Sequence, residues 1–205
     1  MDWVSFTGTS PNMLRKVNIL ITHLGDGALL FPLMFILAAY LAVLKSYRAA
    51  LGLVLAVGAC GVVMVGLKVF FLSFQQPVFD IRSPSGHATM AAVVWGGMAV
   101  VLAPHFAHWR RFLPLAAAFS LSFAIAVTRV FLRAHTFAEV FLGLAVGWGF
   151  VGLYALAMRG QPKAPLRLWL VFLLLFVPFI FLYDSYYIPV EVFVAEIVDR
   201  LKLFF

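Results

Sequence analysis

Two histidines in different settings carry the chemistry this chain could do. His87 closes the run Pro84-Ser85-Gly86-His87, and His135 stands four residues before Glu139. Lys68 and Arg129 lie at the ends of strongly apolar runs. A carboxylate bonded to one imidazole nitrogen fixes the tautomer and leaves the other nitrogen to attack. Cations gathered at a membrane surface suit a phosphate, because phosphoryl transfer depends chiefly on positioning and charge stabilisation. The chemistry that fits this set is removal of a phosphate group from a lipid.

Each group also has an ordinary explanation. Lys68 alone reads as a snorkelling lysine with its stem in lipid and its amine at the headgroups. Arg129 and Arg133 read as anchors for anionic headgroups. Ser85 can cap a helix, and Gly86 allows close backbone approach; a helix start of this kind binds phosphate through its unpaired N–H groups and dipole. An ordinary capped start would leave His87 without a task. His135 and Glu139, four apart, fall on one helix face. In isolation they read as a hydrogen-bonded histidine and a first-turn acid. Two histidines with several cations on one side make these explanations jointly unlike the sequence.

The elements that position these residues are membrane helices. Of 205 residues 64% are hydrophobic and 11% charged, more apolar surface than a soluble domain of this length can bury. Apolar runs long enough for a hydrocarbon core about 30 Å thick lie at about 27–44, 49–72, 87–103, 112–128, 136–158 and 167–188. The expected fold is all-α: one six-span bundle filling residues 1–205 as a single domain. Residues 1–26 are expected at the interface, and 189–205 as an amphipathic interfacial helix with Val190, Val194, Ile197, Leu201 and Phe204 on one face. The start lacks the pattern of a cleaved signal. Cys60, the only cysteine, falls mid-span and reads as packing.

A net charge of +7 raises nucleic acid as a partner, and its distribution argues against that. The loops after spans one, three and five hold Lys45, Arg48, Arg110, Arg111, Arg159, Lys163 and Arg167, with no acidic residue. All eight acidic residues fall on the other side or its edge. The positive-inside rule therefore puts the odd loops in the cytoplasm. Lys68, Ser85, His87, Arg129 and His135 then face outward. His105 and His108 fall on the cytoplasmic side and read as interfacial. His23 and Asp26 lie outward, with packing or a pocket rim as their only role.

These residues resemble the type 2 phosphatidate phosphatase superfamily, whose pattern is Lys-x6-Arg-Pro, then Pro-Ser-Gly-His, then Ser-Arg-x5-His-x3-Asp. The second part is complete at Pro84–His87. The third reads Thr128-Arg129-x5-His135-x3-Glu139, with conservative changes and intact spacing. The first departs: after Lys68 come Gln75, Gln76 and Pro77, so a glutamine stands where the family has an arginine. Arg82 is a candidate substitute for that charge. The resemblance implies that His135 attacks phosphorus, Glu139 orients it and His87 protonates the leaving oxygen. It assigns the phosphoryl oxygens to Lys68, Ser85, Gly86 and Arg129. It implies no metal and no cofactor, and as partners a lipid phosphate and the surrounding membrane lipids.

The expectation is thus a metal-independent lipid phosphatase on the outer face of a bacterial cytoplasmic membrane. Polyprenyl diphosphate, phosphatidate, phosphatidylglycerophosphate and a lipid A phosphate all qualify as substrates; small size and short outward loops favour the first. Phosphotransfer to another lipid would use the same residues. A transporter or catalytically silent lipid-binding protein is the other class, but a transporter should carry polar groups through the midplane. Here they gather at one face.

Overall fold

Apolar run length and a few capping residues set the architecture. The computed structural model describes residues 11–73 and 81–167. Six α-helices follow one another: α1 (Pro11–His23), α2 (Gly27–Val43), α3 (Tyr47–Leu72), α4 (Gly86–Leu102), α5 (Leu113–Phe131) and α6 (Phe137–Ala157). Short 3-10 turns at Ala103–His105 and His108–Phe112 join α4 to α5. Five stretches are long and apolar enough to cross a membrane: Met13–Val43, Tyr47–Leu72, Gly86–His105, His108–Phe131 and Phe137–Ala157. The described fold is therefore all-helical with five candidate spans. The expected sixth span from 168 onward, the amphipathic tail, residues 1–10, and Gln75, Gln76 and Pro77 lie outside the described residues.

The first candidate span includes α1 as well as α2. At 13 residues, α1 reaches only about 20 Å, short of a bilayer core. Its residues Met13, Leu14, Val17 and Leu20 are exposed apolar side chains, beside exposed Arg15 and Lys16. That mixture suits the interface. Asp26 then starts α2 as its N-cap, accepting from the Ala28 N–H at 3.0 Å.

The centre of the bundle is α4. In its candidate span 67% of the window is buried, against 28% for the spans containing α3, α5 and α6. Small residues make this possible. A Cβ on Gly147 would come within 2.6 Å of the Thr89 carbonyl and of Ala92, and one on Gly96 within 2.5 Å of Val151. The backbones of α4 and α6 thus approach as closely as small-xxx-small helix pairs allow. A core of Leu30, Leu41, Leu53, Val57, Val93 and Ile125 fills the remaining space between helices. Cys60 is part of this core, as expected. Helix polarity then brings the starts of α2, α4 and α6 and the ends of α3 and α5 to one end of the bundle.

Candidate active site

The site is built where the entry to α4 meets the entry to α6. Ser85 is the N-cap of α4, and its hydroxyl accepts the Ala88 N–H at a long 3.5 Å. It is fully buried, and its N–H donates to the Glu139 carbonyl at 3.1 Å. Thr136 is the N-cap of α6 and forms a capping box with Glu139. The Glu139 N–H donates to Thr136 Oγ1 at 3.3 Å, and Glu139 Oε2 accepts the Thr136 N–H at 3.1 Å.

The Glu139 carboxylate collects donors from three directions. Oε1 accepts the backbone N–H groups of Arg82 at 2.9 Å and Ser83 at 2.7 Å. Oε2 accepts from His135 Nδ1 at 2.8 Å as well as from Thr136. Both side chains are well covered, with relative exposures of 5% for His135 and 7% for Glu139. With Nδ1 committed to the carboxylate, chemistry at His135 falls to Nε2. The spacing argument for this pair needs one correction. His135 precedes the N-cap and is not on α6. It meets Glu139 because the 132–135 turn folds back, its N–H reaching the Arg129 carbonyl at 3.4 Å.

The cations arrive from two other helices. Lys68, buried in the last turns of α3, donates from Nζ to Ser83 Oγ at 3.3 Å. Its Cε would lie 3.8 Å from a Cβ on Gly86, so the space above Gly86 opens toward the lysine. Arg129 is inside the last turn of α5, not beyond it. Its Nη1 donates to Thr22 Oγ1 at 3.5 Å, while its buried Nε has no partner among the described residues. His87 is half-buried in the first turn of α4. Its carbonyl lies 3.3 Å from where a Gly25 Cβ would stand, and that Cβ would be 2.6 Å from Ile125. Gly25 is thus required for the α1–α2 elbow to seat between α4 and α5. Arg82 contributes its backbone to the site, and its side chain is exposed. Arg133 is exposed in the turn with φ of 55°.

Several positioning residues escaped the motif reading. Ser83 links Lys68 to Glu139, Thr22 holds Arg129, and a Cβ on Gly143 would come within 2.7 Å of the Ser85 carbonyl. Two had readable signals: Thr136-x-x-Glu139 is a capping-box pattern and Gly143-x-x-x-Gly147 a close-packing pattern. Ser83 and Thr22 act through contacts distant in sequence and had none. His105 lies at the opposite end of the bundle, with Nε2 2.8 Å from the Ala164 carbonyl and Nδ1 3.3 Å from the Leu102 carbonyl.

Comparison with known proteins gives a family. The chain is 25% identical over 146 residues to an uncharacterized 22.5 kDa protein in the cps region of Klebsiella pneumoniae, covering 70% of each chain. No solved structure matches. A family model described as PAP2 superfamily matches residues 49–163, which include Lys68, the Pro84–His87 run, Arg129, His135 and Glu139. That match spans more than half of the chain, and the protein belongs to the PAP2 superfamily.

Proposed function

We propose that this protein is a membrane phosphatase that removes a phosphate from a lipid phosphate or diphosphate through a phosphohistidine at His135. Family membership supports a phosphatase acting on phosphate esters. The observation that carries the mechanism is the 2.8 Å contact between His135 Nδ1 and Glu139 Oε2, made by a carboxylate whose other oxygen is held by two backbone N–H groups. That arrangement fixes the ring and its tautomer before substrate arrives.

The Nε2 lone pair attacks phosphorus, a P–N bond forms and the bond to the leaving oxygen breaks. His87 donates its proton to that oxygen. Water then attacks the phosphohistidine, giving its proton to His87; the P–N bond breaks and inorganic phosphate leaves. Lys68 and Arg129 balance the charge on the phosphoryl oxygens, and the Arg129 Nε, without a partner among the described residues, is a donor of the type such an oxygen would use. Gly86 leaves room beside Lys68, and the first N–H groups of α4 add dipolar stabilisation. Five stretches apolar and long enough to cross a membrane support a lipid as the substrate. Among candidates we favour a polyprenyl diphosphate, and we place the site on the outer face by the basic loops at the other end.

The test is phosphate release from a panel of lipid phosphates by purified protein in excess chelator. Turnover without metal, with labelled phosphate trapped on wild type and absent from His135→Ala, is expected. Normal turnover by His135→Ala would end the mechanism. For sidedness, Ala134→Cys in a Cys60→Ala background should react with an impermeant thiol reagent in intact cells. Labelling only after permeabilisation would invert the topology.

A further inference from the structure

We propose a second phosphate-binding site, at the end of the bundle opposite His87 and His135, that takes the headgroup phosphate of an anionic membrane lipid. A cleft of about 230 Å³ opens there between the α2–α3 turn, the end of α4, the end of α6 and the segment after it. Lys45, Arg48 and Lys163 line it, and among the described residues no lining side chain is acidic. Its apolar wall is Val100, Val101 and Met158. The volume is below the roughly 300–1,000 Å³ of sites that enclose a whole small molecule. A single headgroup phosphate, with its glycerol end against the apolar wall, matches it better.

The cleft has a braced frame. The Tyr154 hydroxyl, at 2% residue exposure, donates to the Ala49 carbonyl at 2.8 Å and ties α6 to the start of α3. His105 Nε2 lies 2.8 Å from the Ala164 carbonyl and ties the segment after α6 to the end of α4. The start of α3 also faces the cleft through Ser46, Tyr47, Arg48 and Ala49. The first N–H groups of a helix have no carbonyl of their own helix. The N-cap Ser46 does not satisfy one with its side chain. Three cations therefore share a cleft with a helix start whose N-cap side chain bonds no N–H among the described residues.

Position selects the lipid over a free ion. The cleft lies at the ends of candidate spans, the level at which a bilayer spanned by these helices would carry its headgroups. All the neighbouring connections lack Asp and Glu, and each Lys or Arg near an anionic surface favours association. None of the three cations belongs to the phosphatase site, so this proposal stands or falls apart from that reading.

The probe is a photo-crosslinkable phosphatidylglycerol in nanodiscs, with a phosphatidylcholine analogue as the neutral comparison. The anionic probe should label peptides containing Lys45–Ala49 and Met158–Ala164 at least tenfold more than the neutral one. Lys45→Gln/Arg48→Gln/Lys163→Gln should lower that labelling about tenfold or more, and Lys45→Arg/Lys163→Arg should keep it. Arg48→Gln alone should give a partial loss, which guards against misfolding of the triple variant. Equal labelling by both probes, or unchanged labelling of the triple variant, would overturn the proposal. Displacement by about 1 mM inorganic phosphate without discrimination among lipids would assign the site to a soluble ion and overturn the lipid assignment.

Discussion

Replacing Glu139 by glutamine separates orientation from mere packing. The carboxylate accepts four N–H bonds, two at each oxygen. Glutamine turns one oxygen into an NH2 donor. If that donor takes the Oε1 place, it faces the Arg82 and Ser83 N–H groups and leaves both unsatisfied. Each buried unsatisfied donor costs about 1–3 kcal/mol, so this orientation costs about 2–6 kcal/mol. If it takes the Oε2 place, only the Thr136 N–H is stranded, at about 1–3 kcal/mol. His135 can then invert, accepting at Nδ1 and carrying its proton on Nε2. The second arrangement is the cheaper, and in it the attacking atom has no lone pair. A carboxylate-to-amide change behind a catalytic histidine can lower turnover about ten-thousand-fold by this route. Glu139→Gln should therefore unfold at modestly lower temperature yet lose about three to four powers of ten in phosphate release. It should trap no labelled phosphohistidine. The control is Thr136→Ala, which removes the cap acceptor of the Glu139 N–H and keeps the backbone N–H that meets Oε2. It should cost about 1 kcal/mol in stability and leave turnover within a few fold. Glu139→Gln turning over within tenfold of wild type would refute the orienting role.

Gly86→Ala adds a methyl that, among the described residues, meets only Lys68 Cε at 3.8 Å, so thermal stability should hold or rise. Its kcat/KM for a lipid phosphate should fall at least tenfold, because the methyl fills the space beside the lysine; an unchanged value would remove Gly86 from the phosphate cradle. Gly143→Ala puts a Cβ at 2.7 Å from the Ser85 carbonyl and 2.9 Å from Thr89 Oγ1. It should lose about 1–3 kcal/mol and activity together. Gly149→Ala, whose Cβ meets nothing within 4 Å, should change neither. If the exposed Arg82 guanidinium supplies the charge missing near Gln75 and Gln76, Arg82→Ala should lose much more activity than Gln76→Ala, and Gln76→Arg should partly restore it. Wild-type rates for Arg82→Ala across several lipid phosphates would leave Arg82 with its backbone role alone.

Span length and residue spacing made most of the fold legible. The expected second, third and fifth spans coincide with α3, α4 and α6 to within a few residues, because an apolar run of bilayer length has one stable solution. Helix polarity alone then brought Lys68, Pro84–His87, Arg129 and His135 to a common end. Interhelix distance was less legible. That α4 is the buried helix follows from Gly143, Gly147 and Gly96, whose missing side chains let α6 approach. Hydropathy registers glycine as neutral and is blind to this. The α1–α2 elbow was likewise invisible: Thr22 and Gly25 reach α5 and α4 across 62 to 107 residues of chain.

The sequence offered Glu139 two roles as rivals, a first-turn acid of α6 or the orienter of His135. The geometry makes them one. An acid at the third position of a helix reaches back to the N-cap N–H as half of a capping box. Glu139 does so with Oε2 on Thr136, and this fixes its carboxylate at the mouth of α6. His135 is the residue immediately before that cap, so the same Oε2 meets Nδ1. The remaining oxygen points across to Arg82 and Ser83 and holds the approach to α4. The cap is therefore the device that sets the imidazole, and the entry to α4 is registered against it by the same carboxylate. A loop histidine gains the precision of a helical residue without being on a helix.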